Sequence, residues 1–295
     1  MAARPGLRRR NQRGTYPACG AGQTGWRLPN INELDTLLNA GQSQPYTWLG
    51  TQGFTGVQAD SYWSSTTYPF SPWFALSLEL LTGNGTRGAA WKNIVYFHVW
   101  PVKGVTGPPA AVSRTGQTEC YDVGGAVIPC AGRGQDGELR AGGPWPDPRF
   151  TDHFDGTVTD HLTGLTWLKD ANCMATWYLD FDNDGSVKDG AVLWQLALDF
   201  VAGINAGTLP NCGAGHSDWR PPNLNELESL GNYQEGNLAG WLGGNGFLFD
   251  NVQPYYYHSS TTHVATPGFS TSNWAWDMID GEVDPSGKGT GRLYA

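Results

Sequence analysis

The sequence predicts an α+β chain built from two copies of one module, each a small antiparallel sheet with one or two helices and long loops. Three observations predict this. The first is an internal duplication. GWRLPNINELDTL (Gly25 to Leu37) returns as DWRPPNLNELESL (Asp218 to Leu230). WLGTQGF and YWSSTTY (Trp48 to Phe54, Tyr62 to Tyr68) return as WLGGNGF and YHSSTTH (Trp241 to Phe247, Tyr257 to His263). The second is composition: 41 Gly, 14 Trp and 19 Pro among 295 residues, with 15% charged, favour short strands and ordered loops over a helical bundle. The third is that each copy opens on a short, capped, amphipathic helix.

The length suits two domains. A net charge of −9 argues against nucleic acid or an anionic membrane as partner. No apolar run reaches the ~20 residues that span a bilayer. Residues 1–18 read as a basic tail: they have the basic start of a signal peptide with no apolar core behind it, and Arg8, Arg9 and Arg10 fit a solvated tail or a misassigned start better than a nucleic-acid arm.

Module one takes residues 19–104. Asn30 caps a helix and Glu33 completes a capping box, with Ile31, Leu34, Leu37 and Leu38 facing inward and Gly41 as the stop. Trp26 and Arg27 read as scaffold, the Arg paired with Glu33. Strands are expected over Ser61–Tyr68 and Trp73–Leu80, with a turn at Thr82–Gly85, and over Asn93–Val102 as a strand buried on both faces. Residues 105–149 form a Gly/Pro-rich connector. Within it Cys120 and Cys130 flank a Gly-Gly turn and are placed for a hairpin disulfide, so the connector is expected to be ordered.

Module two takes residues 150–295. Thr157–Thr159 and Leu165–Leu168 read as a hairpin. Leu193, Leu196, Ala197, Phe200, Val201 and Ile204 have the spacing of one buried helical face, with Asp189 as cap and Gly207 as stop. Asn223 and Glu226 repeat the capping box, and strands follow near Tyr255–Thr262 and Asn273–Ile279. Cys173 and Cys212 bracket the long helix and would tie it to the loop before the repeat motif. Cys19 has no partner in this scheme and is a candidate for pairing between chains. This cysteine usage belongs to an oxidising compartment, extracellular or cell-surface.

TVTDHLTGLTWLKDANC, DWRPPNLNELESL and the SSTT strand together resemble the Lcl C-terminal domain family, and TGQTECYD…IPCAGRGQDGEL resembles a connector found beside it. The resemblance implies a C-type-lectin-like fold, with helices flanking a twisted sheet, in bacterial surface and secreted proteins, one of them an adhesin that binds sulfated glycans. Against that pattern, module one has no counterpart of Thr157–Trp167 or of the long helix. Module two has no counterpart of the VWPVKG stretch (Val99 to Gly104). Unpaired strand edges invite completion by another strand.

DFDNDGSVKDG offers Asp180, Asp182 and Asp184 as side-chain ligands, the Ser186 carbonyl and, less directly, Asp189. These resemble the first half of a calcium loop, but Ala191 stands where a bidentate Glu belongs; a structural calcium and a solvated acidic turn both fit. The hydroxyls of the SSTT motif read as strand-to-strand bonds rather than nucleophiles, and no catalytic fingerprint is present. Tyr255, Tyr256 and Tyr257 are candidate sugar-stacking rings. The sequence thus points to a secreted, non-enzymatic structural or adhesive protein, a self-assembling surface or filament subunit whose modules are completed by strand exchange between modules or between chains. The alternative is a glycan-binding adhesin module.

Overall fold

The computed structural model describes residues 21–81, 87–104, 112–244, 248–264, 272–289 and 293–294. They pack as two units, one holding the residues up to Pro144 together with Asn232–Gly236, the other Trp145–Gly231 with Asn237 onward. The connector is therefore not a body of its own: its residues 112–144 belong to unit one and 145–149 to unit two.

In unit one, α1 (Ile31–Asp35) and α2 (Pro45–Thr51) precede β1 (Ser61–Thr67), β2 (Phe74–Glu79) and β3 (Arg87–Trp91), an antiparallel sheet in the order β1-β2-β3. The capping box forms as read: the Asn30 side chain accepts from the Glu33 amide, and the Glu33 carboxylate accepts from the Asn30 amide. The helix is shorter than its apolar spacing suggested, and Gly41 lies well beyond its end. The Asn93–Val102 strand is corrected. Ile94 and Tyr96 are exposed; the segment touches the sheet at one isolated bridge, His98 beside Tyr62 in parallel, and Val102 pairs antiparallel with Arg27 outside the sheet. The expected turn at 82–85 lies outside the described residues, as do Cys19 and the basic tail.

The connector folds onto β1. A hairpin of β4 (Cys120–Tyr121) and β5 (Val127–Ile128) carries the Cys120–Cys130 disulfide, and α3 (Asp136–Leu139) follows. The Asp136 carboxylate accepts from the Thr66 and Thr115 hydroxyls at 2.8 and 2.7 Å, and Gln117 bonds the main chain of Thr67 and Tyr233. Burial pushes the Asp136 carboxyl up to about 6 against the two hydroxyl bonds.

Unit two begins with β6 (Phe150–Asp152), β7 (Thr157–Asp160) and β8 (Leu165–Leu168), an antiparallel sheet. Then come α4 (Cys173–Trp177), β9 (Ala191–Val192) and α5 (Trp194–Asn205). The long helix starts after Leu193 rather than at Asp189, because Ala191 and Val192 are spent on a strand; Gly207, with φ +73°, sits just past its end as expected. The Cys173–Cys212 bridge is present. Next are α6 (Leu224–Ser229), α7 (Leu238–Gly243), β10 (Tyr256–His263), β11 (Ser272–Asp277), β12 (Val283–Gly287) and β13 (Leu293–Tyr294). The second sheet runs β12-β11-β10-β13-β9.

The absent last strand of module two is corrected at one of two points. β13 pairs in parallel with β10 at Tyr257–Tyr294, the same register as Tyr62–His98 in unit one, and β9 covers its far side. A counterpart of the Arg27–Val102 bridge is not found among the described residues. The α+β class stands in both units.

Candidate binding site

The duplicated motifs form one joint. In unit one the Ile31 amide donates to the Thr66 hydroxyl at 3.0 Å and the Ser65 amide to the Pro29 carbonyl at 2.7 Å. In unit two the Leu224 amide donates to Thr261 at 3.0 Å and the Ser260 amide to Pro222 at 2.8 Å. The first Ser of each SSTT motif donates to the neighbouring strand, Ser64 to Leu76 and Ser259 to Trp274, each at 2.7 Å. Arg27 pairs with Glu33, and Arg220 with Glu226 at 2.7 and 2.5 Å. The joint thus uses up one helix N-terminal donor per module, the Ile31 or Leu224 amide, which would otherwise lack an intrahelical partner.

His258 is buried with its Nε2 at 2.8 Å from the Val192 carbonyl and its Nδ1 at 3.1 Å from the Asn273 amide; burial holds its pKa below the ordinary histidine value.

The other predicted site residues scatter. Carboxylate oxygens of Asp180, Asp182 and Asp184 lie within 4.8 Å of one another. Asp189 is not part of that group; its main-chain oxygen faces the Asn172 side chain. The Ser186 amide donates to Asp184 at 2.5 Å and the Gly185 amide to Asp180 at 3.2 Å. The tyrosine row divides in three. Tyr255 is 52% exposed; Tyr256 is half-buried with its hydroxyl on Asp284 at 2.7 Å; Tyr257 is core, its hydroxyl accepting from the Gln253 amide at 2.9 Å. Of the three candidate sugar-stacking rings, only Tyr255, which precedes β10, is exposed.

What the sequence reading missed is a cavity of about 460 Å³ inside unit two, within the ~300–1,000 Å³ usual for ligand sites. Its floor is Leu227, Leu230, Leu242, Val252, Tyr257 and Met278. One wall is α5, through Trp194, Ala197, Leu198 and Val201. At the rim stand His216, Asp218, Arg220 and Glu226. A signal for it was present: Leu198 falls outside the buried face assigned to α5, so that helix carries apolar side chains on two sides. Trp219 fastens the rim to α5, its main chain bonded to the Asn205 side chain at 2.9 and 2.7 Å and its indole to the Gly213 carbonyl at 2.9 Å.

Among the described residues no helix is long and apolar enough to cross a membrane. No curated protein and no solved structure matches the chain, so the lectin-like fold remains an implication of the resemblance. The family model of the Lcl C-terminal domain matches twice, over residues 4–103 and 156–294, a family that suggests surface or secreted proteins. With both repeats matched over most of its length, the chain belongs to the Lcl C-terminal domain family.

Proposed function

We propose that the chain is a non-enzymatic surface or secreted binding protein of adhesive type, whose second repeat receives an apolar group in the α5–β10 cavity. The cavity itself carries the reading. Hydrocarbon side chains dominate its floor and helical wall, with His216, Asp218, Arg220 and Glu226 at the rim and the hydrogen-bonded His258 and Ser259 also in the lining, a division between affinity and orientation usual in a ligand site. Such a lining disfavours a sugar, whose hydroxyls would be buried without partners. The two disulfides suit an oxidising compartment. The converging carboxylates of Asp180, Asp182 and Asp184 support a structural calcium at the approach to α5.

Calorimetric titration with N-acetyltryptophanamide tests the cavity reading. Saturable binding that is lost in Val201→Trp, where the new side chain occupies the space, is the expected result. No heat from the folded wild-type protein, or undiminished binding by a folded Val201→Trp variant, refutes it.

A further inference from the structure

The two repeats finish their sheets differently. β3 is the outer strand of the sheet in unit one, and β12 is an outer strand of its sheet in unit two. Ladder register makes them counterparts residue by residue. Tyr62 faces Leu78 and its repeat Tyr257 faces Trp276; Leu78 in turn faces Arg87, and Trp276 faces Val283. Arg87-Gly88-Ala89-Ala90-Trp91 therefore corresponds to Val283-Asp284-Pro285-Ser286-Gly287.

Unit two guards this edge. Asp284 and Pro285 are both exposed, and a charge and a proline on an outer strand oppose pairing with a further strand. β3 carries Gly88 and Ala89 at those positions. A Cβ built on Gly88 would lie 3.6 Å from its nearest neighbour, the Ser77 Oγ, an ordinary contact distance, so crowding does not force the glycine. The Lys92 amide donates to the Trp73 carbonyl at 3.1 Å, toward the β2 side. Alternation along the strand then turns the main chain of Ala89 and Trp91 outward. Ala89 thus presents a donor and an acceptor where unit two has Pro285.

Aromatic rings frame the same edge. Trp91, at the end of β3, is 43% exposed, and on the β1–β2 turn Trp73 and Phe70 are 38% and 57% exposed. The Trp73 and Trp91 ring centroids are 6.3 Å apart at an interplanar angle of 24°, and the Phe74 ring lies 4.5 Å from that of Trp91. The unit-two counterparts of Phe74 and Trp91 are Ser272 and Gly287. Shared positions in the repeats build the scaffold; here the repeats differ, and unit one offers main chain and apolar rings where unit two offers a charge and a proline.

We propose that β3 is a self-association edge: two copies of the chain pair antiparallel through it about a two-fold axis, Ala89 opposite Ala89, so that their unit-one sheets become continuous. A strand paired antiparallel with its own copy is self-complementary and closes as a dimer. At the centre the two Ala89 residues exchange both main-chain bonds, flanked by the small Gly88 and Ala90. At each end Trp91 lies across from Arg87 of the partner subunit, where a cross-strand pair contributes. The guard on β12 has its reason in the same contact. Two open edges on one chain would let pairing run on without closing, and Asp284 and Pro285 confine it to one. The proposal concerns unit one and is independent of the cavity in unit two.

Sedimentation velocity of the full chain over about 1 to 300 μM, which brackets the micromolar affinity of a small interface, tests it. A concentration-dependent monomer–dimer equilibrium is expected. Gly88→Asp combined with Ala89→Pro gives β3 the residues of β12 and should leave a folded monomer, checked by circular dichroism. Trp91→Gly, at an exposed position, should weaken the dimer about tenfold or more, and it carries the test if the double variant does not fold. A wild type that stays monomeric throughout overturns the proposal, as does a dimer that persists in the folded double variant or is unaltered in Trp91→Gly. A dimer whose Ala89 amide exchanges as fast as that of the monomer pairs through another surface and overturns it too.

Discussion

At the residue scale the duplicated positions are those whose polar atoms hold helix to strand. Asn30 and Asn223 each satisfy a helix donor and orient the Glu that satisfies another. Asn223→Ala is expected to cost about 1 kcal/mol, the usual loss for a helix cap, read as a lowered urea midpoint with unchanged slope. A null effect would mean the box is ornamental in the folded state. Asp136 makes a pH prediction. Its folded pKa, about 6, lies above the ordinary aspartate value of 3.8. The folded state therefore binds the proton more tightly, and the contribution is complete below about pH 4 and lost as pH rises through about 6. Melting temperature plotted against pH from 4 to 7 should fall less steeply in Asp136→Asn than in the wild type. Identical slopes would remove Asp136 from the account.

At the element scale, α5 depends on what flanks it. The Cys173–Cys212 bridge closes 39 residues of chain around it, and such a bridge contributes roughly 2–4 kcal/mol. Cys173→Ala with Cys212→Ala should therefore lower the stability of unit two and leave the Cys120–Cys130 hairpin intact by disulfide mapping. Calcium should raise the melting temperature of the wild type and leave an Asp182→Asn variant unmoved; a wild-type melt indifferent to both calcium and chelator would leave an acidic turn. Much of this was legible beforehand. The capping boxes, the SSTT strands, both disulfide pairs and the stop at Gly207 each follow from a local pattern with a local cause. The Asn93–Val102 strand was misread because an apolar run does not say whether a partner strand lies alongside; Ile94 and Tyr96 face solvent instead. β3 (Arg87–Trp91) and β13 were missed because Gly-Ala-Ala and Leu-Tyr carry almost no periodicity, and only pairing with a neighbour makes them strands.

At the scale of the whole molecule, sequence order and structural unit do not coincide. Tyr233 lies in the second repeat by sequence, yet it is 1% exposed in the core of unit one, where its ring packs beside Leu76 and its hydroxyl meets Arg87. Tyr233→Ala should therefore destabilise unit one, by about 3–5 kcal/mol for loss of a buried aromatic, and protease resistance or exchange protection should drop in β1–β3 before β10–β11. Loss confined to unit two would contradict the assignment. The cavity belongs to this scale as well. No single stretch announces it, because its floor comes from α6, α7, β10 and the segment after β11, and its wall from α5.

Amide hydrogen exchange resolved to single residues, with and without N-acetyltryptophanamide, tests the central claim most directly. If the second repeat takes an apolar group in the α5–β10 cavity, the amides of Leu198 and Val201 on its helical wall slow on adding the ligand while the amide of the exposed Ser217 keeps its rate. Leu198 and Val201 amides that exchange equally fast at saturating ligand would contradict it.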